Sequence, residues 1–146
     1  MPASTILFIG SDETSGTLIS GVLTGAGYTV TSISDANEAF ARVADHQVVI
    51  LDVMAGPKDA VEVCREIRST PSLAAIPVLC VGQSDDVEER IRFLEAGADD
   101  VMVKPFDARE LEARVEALLL RFQRSKDLSG VVSADGITVT RRRRTA

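Results

Sequence analysis

Apolar runs of strand length alternate along this chain with segments whose apolar positions recur at helical spacing. The first run is Thr5–Ile9, bounded by Gly10, Ser11 and Asp12. Leu18, Ile19, Val22 and Leu23 then share one face of a predicted helix that ends near Gly25 and Gly27. Tyr28–Ile33 predicts a second strand. Ser34 or Asp35 can cap a second helix with Ala36, Ala39, Phe40 and Val43 on one side. Val48–Val53 is unbroken and rich in β-branched residues, as a strand buried on both faces should be. Pro57 suits the first turn of a third helix that runs to about Ser69. Pro77–Val81 predicts the fourth strand and Val101–Val103 a short fifth. Val87, Ile91 and Leu94 mark a fourth helix closed by Gly97, and Leu111, Val115, Leu118, Leu119 and Phe122 stripe a long fifth one.

Strands that alternate with helices in this way imply an α/β fold, with parallel strands joined by right-handed crossovers. Such a sheet binds its ligand at the carboxyl ends of its strands. That places residues 10–13, residues 52–54 and the Lys104-Pro105 pair at one mouth. A carboxylate, a lysine and acidic residues meeting there suggest phosphoryl or metal chemistry. The alternation alone fits a flavodoxin-like domain or a piece of a dinucleotide-binding enzyme equally well. However, no G-x-G-x-x-G follows the first strand, and Gly21, Gly25 and Gly27 fall at a helix end, which argues against dinucleotide binding.

Composition narrows the classes. Hydrophobic residues make up 45% of the 146 and charged residues 26%, the balance of an ordinary soluble domain with one core. No apolar run approaches the roughly 18 residues of a membrane span, and Ile6–Ile9 is too short for a signal-peptide core. Cys64 and Cys80 have no metal spacing and read as small core residues of a reduced, cytoplasmic protein. The net charge of −6 hides an asymmetry: residues 121–146 carry seven Lys/Arg against two Asp/Glu, and the rest nine against twenty. An acidic body argues against direct nucleic-acid binding by the domain itself. After Phe122 the pattern changes. Gln123–Gly130 reads as a polar linker. Val131-Val132 and Ile137–Val139 flank a hairpin signal, and Arg141–Arg144 follow. Residues 1–123 are therefore expected to form one domain, and 124–146 a basic linker or tail that begins an output module.

Several segments in order resemble the receiver domains of bacterial two-component response regulators. They are Val49-Ile-Leu-Asp52-Val-Met54, Val63-Cys-Arg-Glu-Ile-Arg68, Ile76-Pro-Val, Glu95-Ala-Gly-Ala-Asp-Asp100 and Val103-Lys-Pro-Phe106. The resemblance covers roughly residues 4–122. It implies a CheY-like fold, a doubly wound (βα)5 with strand order 2-1-3-4-5. It also implies that Asp52 accepts a phosphoryl group from a histidine kinase and that Lys104 holds a phosphoryl oxygen. Mg²⁺ would be held by Asp52, by an acidic residue after the first strand and by the backbone carbonyl of Met54. A cis Lys104-Pro105 peptide is implied as well.

The chain departs from that pattern at several working positions. Gly10 and Ser11 stand where the family has its two metal-binding acidic residues. Asp12 is one step late, and is either a substitute ligand or the cap of the first helix. Gly82 replaces the hydroxyl residue at the end of the fourth strand, and Val101 replaces the switch aromatic. With so few carboxylates Mg²⁺ is expected to bind weakly or not at all. The resemblance also implies a dimer face on the fourth helix, fifth strand and fifth helix, where Arg90, Asp99, Asp100, Glu110 and Arg114 match in charge.

The leading expectation is a signalling domain that is not an enzyme: a degenerate receiver acting by homodimerisation or partner docking on an attached output. The alternative is a phospho-accepting receiver, dependent on Asp52 and Mg²⁺, that controls a winged-helix DNA-binding domain or a P-loop ATPase. A free-standing enzyme has little support, since the one histidine, His46, has no visible nucleophile partner.

Overall fold

The computed structural model describes residues 4–52, 54–55, 58–83 and 85–135. Its central sheet is parallel, with β1 (Thr5–Ile9), β2 (Thr29–Ile33), β3 (Val48–Asp52), β6 (Val78–Gly82) and β7 (Asp100–Val103) in the order β2-β1-β3-β6-β7. Counting those five strands along the chain, this is the expected order 2-1-3-4-5. A short antiparallel pair, β4 (Met54–Ala55) and β5 (Lys58–Asp59), follows β3. The helices are α1 (Glu13–Gly25), α2 (Ala36–Phe40), α3 (Ala60–Ser69), α4 (Val87–Ala96) and α5 (Ala108–Asp135).

The inner strands are buried end to end because helices cover both faces of the sheet. Alternate residues feed two cores. Leu7, Ile9, Val49, Leu51, Cys80 and Phe93 pack with α2 and α3 on one face. Ile6, Phe8, Ile50, Leu79, Val81 and Met102 pack with α1 and α5 on the other. The edge strand β2 keeps only partial burial, which suits its Thr and Ser residues.

Several local expectations are corrected. The third helix starts at Ala60, where Asp59 and Glu62 form a reciprocal capping box, not at Pro57, which lies outside the described residues. In α1, Ile19 and Leu23 are buried but Leu18 faces outward, 49% exposed. Val87, Ile91 and Leu94 do lie on α4, yet they form its outer face. The inner face carries Phe93 and Ala96. The segment read as a linker, with Val131-Val132 as a hairpin strand, is helical: α5 continues unbroken through it to Asp135. Gly130 costs about 1 kcal/mol relative to alanine in such a helix, a penalty the helix absorbs. The second hairpin run, Ile137–Val139, and Arg141–Arg144 lie outside the described residues.

Candidate functional site at the carboxyl end of the sheet

Asp52 is the last residue of β3 and is buried, with 1% exposure. Lys104 directly follows β7 and leads into a cis Lys104-Pro105 peptide, and its backbone N–H donates to Gly82 O at 3.0 Å. The Lys104 ammonium reaches back over the mouth and lies 2.8 Å from Asp52 Oδ1. It also donates to Asp12 Oδ2 at 3.3 Å. One lysine thus binds the carboxylates of β3 and of the β1–α1 turn.

Of the two roles expected for Asp12, the structure shows the cap, and its carboxylate also meets Lys104. It caps α1, accepting from Thr14 N at 3.2 Å, and it faces the mouth through Lys104. The Ser15 hydroxyl donates to Asp12 Oδ2 at 2.7 Å and, with Lys104, holds the Asp12 carboxyl below its usual range. Ser15 itself is buried.

Gly10 comes close to the acceptor. A Cβ built there would lie 2.5 Å from Asp52 Cβ and 2.8 Å from Phe8 Cζ. The large ring of Phe8, fully buried beneath the β1–α1 turn, fills the room that a side chain at position 10 would need. Gly16 serves the same packing, since its Cβ would meet Phe8 Cε2 at 3.3 Å. Ser11 is exposed, and Met54 lies in β4 opposite Asp59.

An Mg²⁺ site needs several oxygen ligands at about 2.0–2.1 Å in octahedral array. Among the described residues no group of three His, Cys, Asp or Glu side chains could hold a metal. Asp52 and Asp12 are both engaged by Lys104, and Gly10 offers no donor. The residues present do not fit the cation well. On the other side of β1 a cleft of about 430 Å³ opens, lined by Ser11, Ser32, Ser34 and the carboxylates of Asp12 and Glu13. Its charge does not suit a phosphate.

Gly82 ends β6, and Val101 is half-buried against the core. The proposed dimer-face residues divide. Asp100, Glu110 and Arg114 come together within the chain. Arg114 donates to both Asp100 oxygens at 2.8 and 2.9 Å and to Glu110 Oε2 at 2.9 and 3.0 Å, which raises its pKa. Arg90 pairs instead with Asp85 at 2.6 Å. Asp99 belongs to a different neighbourhood: its Oδ2 accepts from Val78 N at 2.8 Å and from Arg68 at 2.7 Å. His46 is a structural bridge, with Nδ1 2.8 Å from Arg42 O and Nε2 3.2 Å from Thr31 Oγ1. Cys64 and Cys80 are buried together, and their mutual hydrogen bond and burial push the Cys80 thiol up.

Phe8, Ser15, Arg68 and Glu89 were not singled out from sequence. For Glu89 a signal existed: it stands four residues before Phe93, on the same face of α4.

A doubly wound parallel sheet with a buried strand-end aspartate and a lysine from the last strand's loop is an α/β domain whose candidate site lies at the carboxyl ends of its strands. The comparisons agree. Residues 6–116 match the response regulator receiver domain family. The chain is 37% identical to the transcriptional regulatory protein GltR of Pseudomonas aeruginosa over 131 residues, 88% of this chain and 54% of that protein. It is 36% identical to the alkaline phosphatase synthesis transcriptional regulatory protein PhoP of Bacillus subtilis, over 80% of this chain and 48% of that one. The BeF3-activated N-terminal receiver domain of RstA from Klebsiella pneumoniae superposes with a TM-score of 0.72 at 27% identity, covering 80% of this chain and 98% of that one. The chain therefore belongs to the response regulator receiver domain family. It spans about half the length of the curated relatives it matches.

Proposed function

We propose that this receiver is degenerate: it controls an attached output mainly by dimerisation or partner docking, and phosphorylation contributes little. The observation that carries the reading is the closeness of Gly10 to Asp52, which leaves no room for a metal-binding carboxylate where a phosphoryl-transfer site needs one. Bound Mg²⁺ would offset the charge on the transferring group, and a site with so few carboxylates binds Mg²⁺ weakly. The chain does no other chemistry on this reading. A histidine kinase remains a candidate partner through Asp52. The exposed apolar residues Val87, Ile91 and Leu94, beside the Asp100–Arg114–Glu110 cluster, support a homodimer through α4, β7 and α5. Among the described residues no helix is long and apolar enough to cross a membrane. The greater length of the relatives supports an output module beyond α5.

Incubation with a small phosphodonor in excess Mg²⁺, followed by intact mass spectrometry, tests the reading. The expected result is no stable adduct. A near-stoichiometric adduct that Asp52→Asn abolishes would overturn it.

One observation favours the alternative, a phospho-accepting receiver that controls a winged-helix or P-loop ATPase output. Lys104 stands 2.8 Å from Asp52, where it could hold a phosphoryl oxygen. The same mass measurement separates the two readings.

A further inference from the structure

The first turn of α4 points a carboxylate inward. Glu89, Phe93 and Ala96 recur at i, i+4 and i+7, so they share one helix face. Phe93 and Ala96 are buried on that face, with 1% and 5% exposure, and Glu89 is half-buried. What Glu89 meets is the end of β6. A Cβ on Gly82 would lie 2.6 Å from Glu89 Oε1 and 3.4 Å from Phe93 Cε2. The carboxylate therefore fills the volume that any side chain at position 82 would take.

That volume is at the centre of the mouth. In the register of the sheet Asp52 stands opposite Val81, one residue before Gly82, and Val103 stands opposite Gly82, one residue before Lys104. The strand that Glu89 covers lies between the strand carrying Asp52 and the one carrying Lys104.

We propose that Glu89 is the positioning residue of α4, its carboxylate seated on Gly82 and fixing the first turns of the helix from within the chain, with no group on Asp52 required. The proposal deepens the reading above by naming what holds α4 when no phosphoryl group does. The physical basis is close packing. Where a strand end lacks a Cβ, the facing helix can bring a long side chain onto the backbone, and that seat exists only while the space is empty. Gly82 and Glu89 are thus one device, and each loses its effect without the other.

Such dependence is what a double-mutant cycle measures. Hydrogen exchange of the Val87–Ala96 amides is followed in the full chain, without phosphodonor, for the wild type, Glu89→Ala, Gly82→Ala and the double variant. Glu89→Ala empties the seat. It is expected to raise α4 exchange roughly fivefold or more, about the effect of one lost net interaction, while the β3 and β6 amides keep their protection. In Gly82→Ala the new methyl displaces the carboxylate and gives a comparable rise. The double variant is expected to exchange no faster than either single one. Unchanged α4 exchange in Glu89→Ala would overturn the proposal, as would two single effects that multiply in the double variant. Failure here leaves the reading of Asp52 standing, because no phosphodonor is present. Failure of that reading is seen in the wild-type mass measurement instead.

Discussion

The Lys104 ammonium lies 2.8 Å from Asp52 Oδ1, and the Asp52 side chain is only 2% exposed. A buried carboxylate is costly to strip of its cation, whereas replacing it by a neutral amide removes the charge that needed one. Lys104→Ala is therefore expected to destabilise the domain by about 3 kcal/mol. Asp52→Asn is expected to cost less than half of that. Urea denaturation of the two variants checks the asymmetry, and equal costs would contradict it.

Gly10 and Ser11 occupy adjacent positions but answer differently to a carboxylate. At position 10 a Cβ collides with Asp52 Cβ and with the Phe8 ring, so Gly10→Asp is expected to cost about 1–3 kcal/mol as overpacking and to gain no Mg²⁺ affinity. Ser11 is exposed, so Ser11→Asp is expected to be nearly neutral for stability and to tighten Mg²⁺ binding. Calorimetric titration with Mg²⁺ decides the matter. Tighter binding by Gly10→Asp with an unchanged melting temperature would show that the turn yields.

Much of this was legible in the sequence. The unbroken apolar runs of β3 and β6 announced a parallel sheet buried on both sides, and Asp52 and Lys104 fell at its mouth by register alone. Asp35 and Asp12 were readable as caps because each stands directly before a helix. What could not be read depended on distances between segments far apart in the chain. The crowding of Gly10 depends on how near β1 approaches β3 and on where the Phe8 ring goes. The α4 stripe marked the helix but not its buried face, because three apolar residues on a solvent face have the same period as three on a core face. Asp99 and Asp100 are neighbours in sequence, yet they alternate across β7 and serve different networks.

Asp12 should make α1 sensitive to acid. Its carboxyl is held below the ordinary value of 3.8, first by the Ser15 hydroxyl and then by Lys104. A depressed folded-state pKa contributes stability that is fully present above the unfolded value and is lost as pH falls through the folded one. Below 3.8, therefore, the first turn of α1 is expected to loosen. Asn caps a helix about as well as Asp but cannot titrate, so Asp12→Asn isolates the charge. Exchange of the Thr14 and Ser15 amides should be faster in the variant at neutral pH and converge with the wild type in strong acid. A gap that persists at low pH would contradict the assignment.

Arg114 satisfies Asp100 and Glu110 within its own chain, so a dimer built on this face must share or reopen those bonds. With 34% of the Arg114 side chain exposed, the pairs contribute little to folding, and Arg114→Ala is expected to cost under about 1 kcal/mol. Arg114→Glu places three acids together and is expected to weaken any dimer at least tenfold while leaving the monomer folded, as sedimentation velocity would show. An unchanged monomer–dimer equilibrium would move the interface elsewhere.

Arg68 is the counterpart at the opposite end of the sheet. Its Nε donates to Gly97 O at 2.8 Å, one terminal nitrogen donates to Ala74 O and Ile76 O at 3.0 and 2.6 Å, and the other to Asp99 at 2.7 Å. The guanidinium thereby ties the end of α3 to the loop before β6 and to the turn after α4. That turn is made by Gly97, whose φ of 112° favours glycine and whose missing Cβ leaves room for the Arg68 stem. Removing Arg68 strips three carbonyls and Asp99 of a donor at once, and a lysine cannot replace a fork that reaches four acceptors. Arg68→Ala is therefore expected to cost about 2–4 kcal/mol, and Arg68→Lys to recover only part of it. Asp99→Ala frees both Arg68 and Val78 N–H, so it too should lower the denaturation midpoint. If Asp99→Ala left stability intact and altered only self-association, Asp99 would belong to the dimer face after all, and the network around Arg68 would be secondary.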